Sequence, residues 1–224
     1  MRFEVLTEDR SGAVVVNRLM DRIVGALVSD YVISVRPHRG RGDLPGNPFQ
    51  KPKPDASGLL DLLPAKLRAY DRVYAGSDFI LVVVMDSDDY NPGELKDKLI
   101  SICKKHAPSL RFVIGLCVEE TESWLLGDEQ ALLKAYPEAD LSILKNYEQD
   151  SICGTWEVLC RSILGNKADR LIKIGYPAIG QYKHEWALHI SEYMDPARNV
   201  SPSFKRFCTY LSFIVRQTAE STER

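Results

Sequence analysis

Phe79-Ile80-Leu81-Val82-Val83-Val84-Met85 is an unbroken apolar run rich in β-branched residues. That pattern predicts a strand buried on both faces of a parallel sheet. Residues 3–8, Tyr31 to Val35 and Arg111 to Val118 predict three more strands. Ser11 and Gly12 open a helix whose apolar positions Val15, Leu19, Ile23, Ala26 and Leu27 recur at helical spacing. Further helices are predicted over 58–75 and, after the Asn91-Pro92-Gly93 turn, over 94–106. This alternation implies a parallel sheet covered by helices. Beyond Glu119 the segments 128–136, 155–164, 184–193 and 203–217 read as helical and none reads as a strand. The expectation is an α/β, Rossmann-like core over 1–125, with a mainly helical extension over 126–224 packed on it.

One segment belongs to neither pattern. Arg36 to Pro54 holds five prolines, three glycines and five Lys or Arg, so regular structure is excluded. A loop of this length, over 36–57, is expected to be functional or mobile. Its cations Arg36, Arg39, Arg41, Lys51 and Lys53 are candidates for gripping a nucleic-acid backbone without reading sequence. A solvated loop is the alternative.

Charge sharpens this picture. Residues 1–75 carry 12 basic and 9 acidic side chains, residues 76–160 carry 7 and 16, and residues 161–224 carry 10 and 6. An acidic centre between basic flanks fits a cation site beside a polyanion-binding surface, or ordinary surface variation. No apolar stretch reaches the roughly 18 residues of a membrane span, and Met1 to Val5 does not start a signal peptide. Five cysteines without a Cys-x-x-Cys pair imply reduced thiols, a cytoplasmic setting and no structural zinc.

The acidic residues cluster where chemistry is expected. Glu8 ends the first predicted strand, and Asp86, Asp88 and Asp89 follow the central one, at the carboxyl edge where open α/β sheets bind ligands. Adjacent carboxylates there repel and suit a hard divalent cation; an Asp-rich turn capping the next helix is the alternative. Glu119 and Glu122 are three apart, so on a helix they share a face; Glu122 is the preferred ligand and Glu120 is assigned to solvent. Trp124, Leu125 and Leu126 read as core, and Asp128 as a helix cap. Lys183 and His184, placed just before a helix, are candidates for holding phosphates.

Three segments then combine: Leu6-Thr7-Glu8-Asp9-Arg10-Ser11-Gly12, Val84-Met85-Asp86-Ser87-Asp88, and Cys117 to Asp128 with its Glu122-Ser123-Trp124-Leu125-Leu126-Gly127-Asp128 core. Together they resemble the Toprim fold of topoisomerases, primases and OLD-type nucleases, and within it the small family DUF4276, whose signature has the form acidic-x-E-x-W-L-L-x-D. Asn199 to Phe204 extends the resemblance over most of the chain. The resemblance implies that Glu8, Asp86 and Asp88 hold Mg²⁺ or Mn²⁺ for phosphodiester chemistry. It also implies a nuclease, an anti-phage effector role, and a separate ABC-type ATPase, since the chain has no Gly-x-x-x-x-Gly-Lys-Ser/Thr loop. Here the glycine of the first motif is displaced to Gly12, which opens a place for Asp9 as a ligand. No tyrosine assignment makes the chain a topoisomerase. Two other classes stay open: a non-catalytic binding module, and a receiver- or HAD-like phosphotransfer enzyme. The HAD type expects its Asp-x-Asp after the first strand, not the third.

Overall fold

The computed structural model describes residues 1–222. Four strands, β1 (Arg2–Thr7), β2 (Val32–Pro37), β3 (Phe79–Asp86) and β4 (Arg111–Cys117), form one parallel sheet in the order β2-β1-β3-β4. Phe79 through Met85 are all buried, as the apolar run predicts. Connections run through α1 (Arg10–Gly25), α2 (Leu59–Tyr74) and α3 (Pro92–His106). The chain therefore has the expected α/β, Rossmann-like architecture.

Alternation of side chains across the sheet divides the core into two. One face, including Leu81, Val83 and Ile114, packs with Leu63 and Leu67 of α2 and Leu95 and Leu99 of α3. The other, including Phe3, Val5, Val82 and Val113, packs with α1 and with helices from the C-terminal half. Those helices are α4 (Glu122–Leu126), α5 (Glu129–Ala135), α6 (Thr155–Leu164), α7 (Ala168–Ile174), α8 (Ala178–Ser191) and α9 (Pro202–Thr222). Phe207 of α9 sits against Gly115 of β4. The apolar cluster is continuous across residue 125 and contains Val5 and Ile214 alike.

Polar bonds fix the extension at two points. Arg18 and Arg22 of α1 donate to main-chain carbonyls around the C-terminal end of α8, namely Leu188, Ser191, Glu192 and Met194. Cations there satisfy carbonyls that the helix leaves unpaired. Trp124 is fully buried, stacks with Phe207, meets Phe204 edge-on, and donates its indole N–H to Ser203 Oγ at 2.9 Å. Asn199 Nδ2 donates to the Trp124 carbonyl at 2.7 Å, and a Cβ on Gly127 would collide with the Asn199 side chain. The Asn199–Phe204 motif is thus the clasp holding α9 to the Trp-Leu-Leu helix.

Helix boundaries require one correction with consequences. The predicted helix 184–193 begins six residues earlier, after Pro177, so Lys183 and His184 lie inside α8 and not before it. Proline is compatible with a helix start, and Gly180 in the first turn weakens the sequence signal without breaking the helix.

Candidate functional site

The parallel register places Glu8 and Asp86 side by side. Thr7 pairs with Val84 and Asp86 with Cys117, so the ends of β1, β3 and β4 reach the same sheet edge. Beyond β3 and β4 the backbone closes into a lock. Ser87 N donates to the Cys117 carbonyl and Asp88 N to the Glu119 carbonyl, each at 2.9 Å, while Glu119 N donates to Ser87 Oγ at 2.9 Å. Asp88 and Glu119 both take positive φ, +46° and +60°. Such conformations cost non-glycine residues on the order of 1 kcal/mol or more and persist only where the surroundings dictate them.

Into this edge come Glu8, Asp86 and Glu122. Asp86 Oδ1 accepts from Thr121 Oγ1 at 2.8 Å. Its carboxyl is held well above the ordinary range by burial, then by the charges of Glu8 and Glu122. Burial raises Glu8 to about 7, with the charges of Asp88 and Asp9 adding to it. Glu122 is almost fully buried in the first turn of α4 and is raised chiefly by burial. One oxygen of each glutamate, Glu8 Oε2 and Glu122 Oε2, is buried without a hydrogen bond.

Lys183 enters from α8. Its ammonium lies 3.0 Å from Glu120 Oε1 and 3.2 Å from Glu122 Oε2, the second contact lacking hydrogen-bond geometry. Burial alone would depress this lysine; the charges of Glu122, Glu120 and Asp86 outweigh it and raise its pKa. Lys183 is therefore the internal counter-ion of the acidic centre. The assignment of Glu120 to solvent is wrong: it pairs with Lys183, and burial followed by the Glu122 charge raises it to about 7. The strained turn at Glu119 swings Glu120 back toward α8, which spacing alone does not reveal.

Glu119 and Glu122 do not share a helical face. Glu119 precedes α4 and points away, accepting from the backbone N–H groups of Cys153, Gly154 and Thr155 and from Thr155 Oγ1. It caps α6 from 36 residues away and is structural. Asp9, considered as a ligand, caps α1 by accepting from Gly12 N at 2.7 Å. Asp128 caps α5 as expected and also pairs with Arg198 at 3.1 Å. Asp89 is exposed.

The basic loop separates into distinct roles. Its first part is pinned: His38 N donates to the Thr7 carbonyl, Gly40 N to the Glu8 carbonyl, and Leu60 N to the Arg41 carbonyl. Gly42, at φ +63°, lies against the Asp61 carboxylate, where a side chain has no room. Arg41 stacks 3.8 Å over Tyr90 and donates to Asp88 Oδ2 at 2.8 Å. Arg36 belongs to β2 and pairs with Glu4, which also accepts from Tyr70. Arg39 and His184 line a cleft next to Glu8, and Lys51 and Lys53 lie exposed farther along the loop.

The donors at the site are carboxylate oxygens, and Glu8 Oε2 is buried with neither a hydrogen bond nor an ion pair, which is the chemistry of a hard divalent cation. Among the described residues, however, no three of His, Cys, Asp or Glu stand close enough together to ligate one ion. Lys183 pairs with Glu120 and Glu122, and Arg41 with Asp88. The donor chemistry fits Mg²⁺ or Mn²⁺; the grouping of the side chains does not bring three ligands to one point among the described residues. No helix among the described residues is long and apolar enough to cross a membrane. Comparison of the chain with protein-family models, with curated proteins and with solved structures gave no match.

Proposed function

We propose that the chain is a divalent-cation-dependent nuclease of the Toprim class, hydrolysing phosphodiester bonds in DNA or RNA. The observation that carries this reading is that Glu8, Asp86 and Glu122 lie at the carboxyl edge of a parallel sheet, near enough for the charges of Glu8 and Glu122 to raise Asp86, with Glu8 Oε2 buried and without a hydrogen bond. Acidic residues follow β1, β3 and β4, as the resemblance to Toprim proteins and DUF4276 implies. Glu8, Asp86 and Asp88 would hold Mg²⁺ or Mn²⁺, with Glu122 beside them. When bound, the cation supplies activation of water at neutral pH and neutralises charge developing on the phosphate.

The chain's own groups do the rest. Thr121 fixes the orientation of Asp86 through its hydrogen bond. Lys183 limits the repulsion among the carboxylates and keeps Glu122 in place. Arg41 holds Asp88 until a ligand competes for it, and is then free to face a phosphate. The nucleophile is water, so no covalent enzyme intermediate forms. A cytoplasmic setting, an anti-phage role and a separate ABC-type ATPase partner belong to the same proposal, through the resemblance.

A second reading, a non-catalytic binding module, is favoured by one observation: Lys183 already neutralises the acidic centre where a metal would otherwise do so. The two readings part in a cleavage assay. Labelled single- and double-stranded DNA and RNA are incubated with Mn²⁺ and wild type, Glu8→Gln or Asp86→Asn. The nuclease reading expects fragments from wild type and at least a hundredfold less from either variant. Binding without cleavage, equal in all three proteins, would leave the module.

A further inference from the structure

The N-terminal turn of α1, the base of the loop after β2 and the first half of α8 form a cleft of about 520 Å³, lined by Asp9 and Arg10, the residues that follow Glu8 in the chain. Its walls carry Arg10, His38, Arg39 and His184. Arg10 and Arg39 are exposed, and their guanidinium groups have no ion pair or hydrogen bond among the described residues. This separates them from Arg36 and Arg41, which are spent on Glu4 and Asp88. The one carboxylate in the wall, Asp9, is turned to the Gly12 amide as a cap. The cleft is thus a concave site with two free guanidinium groups and one committed acid.

Guanidinium groups present paired donors that match phosphate oxygens, and two of them around one cleft favour a multivalent anion over a lone carboxylate. The position limits what that anion is. Asp9 and Arg10 follow Glu8 directly in the chain, so anything in the cleft neighbours the candidate catalytic carboxylates. His38 is held still: its backbone N–H and its Nδ1 both face the Thr7 carbonyl, the latter at 2.8 Å. A carbonyl only accepts, so Nδ1 carries the hydrogen and the ring orientation is fixed.

We propose that this cleft is a phosphate subsite, in which Arg10 and Arg39 grip one phosphate of a nucleic-acid strand while a neighbouring phosphodiester lies at Glu8 and Asp86. Naming the strand as the source rests on the nuclease reading; binding of the phosphate does not. The subsite sets the register of the strand across the carboxylates and works without metal.

The chain has four histidines, at 38, 106, 184 and 189, and only the first and third line the cleft. Proton–carbon NMR of their rings therefore reads the site directly. Inorganic phosphate is titrated into the full chain in EDTA. His38 and His184 are expected to shift saturably while His106 and His189 stay still. The Arg10→Ala/Arg39→Ala variant is expected to need at least tenfold more phosphate, and Lys205→Ala/Arg216→Ala, at exposed positions on α9, to behave as wild type. Unmoved His106 and His189 resonances certify that each variant is folded. A short single-stranded oligonucleotide is expected to saturate the same two rings at lower concentration than inorganic phosphate. No shift, equal shifts at all four rings, or an unaffected arginine variant would overturn the subsite. An oligonucleotide no better than inorganic phosphate would overturn the strand as its source. EDTA keeps cleavage out of this experiment, so a failed nuclease assay leaves the result standing.

Discussion

Replacing Glu8 with glutamine should make the metal-free protein more stable at alkaline pH, at the expense of the site. The carboxyl of Glu8 is raised from 4.5 to about 7, first by burial and then by the charges of Asp88 and Asp9. The folded chain therefore binds its proton more tightly than the unfolded chain. Between pH 4.5 and 7 the native state carries the extra proton, so unfolding free energy falls as pH rises through this window and levels off above it. At about 1.4 kcal/mol per pKa unit the full effect is about 3.5 kcal/mol; partial contact with water reduces it to roughly 1–2 kcal/mol. Glutamine keeps the shape, and its carbonyl can still accept from the backbone of Asp86, but it cannot ionise. Urea denaturation in EDTA at pH 4.5 and pH 8 measures the difference. Glu8→Gln should match wild type at pH 4.5 and exceed it by about 1–2 kcal/mol at pH 8. A variant no more stable at pH 8, or displaced equally at both pH values, would refute the electrostatic account of the site.

Lys183→Met should have the opposite sign. It leaves Glu120 and Glu122 buried without a counter-ion, and urea denaturation should record a loss of about 3 kcal/mol at pH 8. The loss should shrink at pH 5, below the raised value of about 7 for Glu120. Glu119→Gln removes an acceptor from the N-terminal turn of α6 and should cost about 1–2 kcal/mol, with amide exchange rising first at Cys153, Gly154 and Thr155. Arg41→Ala releases Asp88 from a partly exposed ion pair worth about 0.2–1 kcal/mol. Calorimetry should then give Mn²⁺ affinity up to about fivefold above wild type; weaker binding would mean that Asp88 is not a ligand.

Much of this molecule is legible in its sequence because the parallel sheet imposes a simple code. The run from Phe79 to Met85 needs two apolar faces, and the acids after it therefore lie at the carboxyl edge of the sheet. Local chemistry also reads directly: Asp128 caps its own helix, and Trp124 is core. The features that escape are those made by distant partners. Glu119 differs from its neighbours only because the α6 N-terminus arrives from 36 residues on. Lys183 looks like a surface residue until α8 packs on α1 and buries it against Glu120 and Glu122. The short α4 and the positive-φ turns at Asp88 and Glu119 carry no glycine signal, since tertiary bonds hold the strain. Arg41 belongs by composition with the other loop cations, and only the pinning of the loop base to β1 brings it to Asp88.

The central claim is that Glu8, Asp86 and their neighbours form a divalent-cation site. Calorimetric titration of Mn²⁺ into wild type and into Asp86→Asn at pH 8 tests it most directly, with nucleic-acid cleavage followed in the same samples. The account predicts saturable binding to wild type, accompanied by cleavage, and loss of both in the variant. Absence of Mn²⁺ binding at millimolar concentration, or binding that Asp86→Asn leaves unchanged, would contradict it.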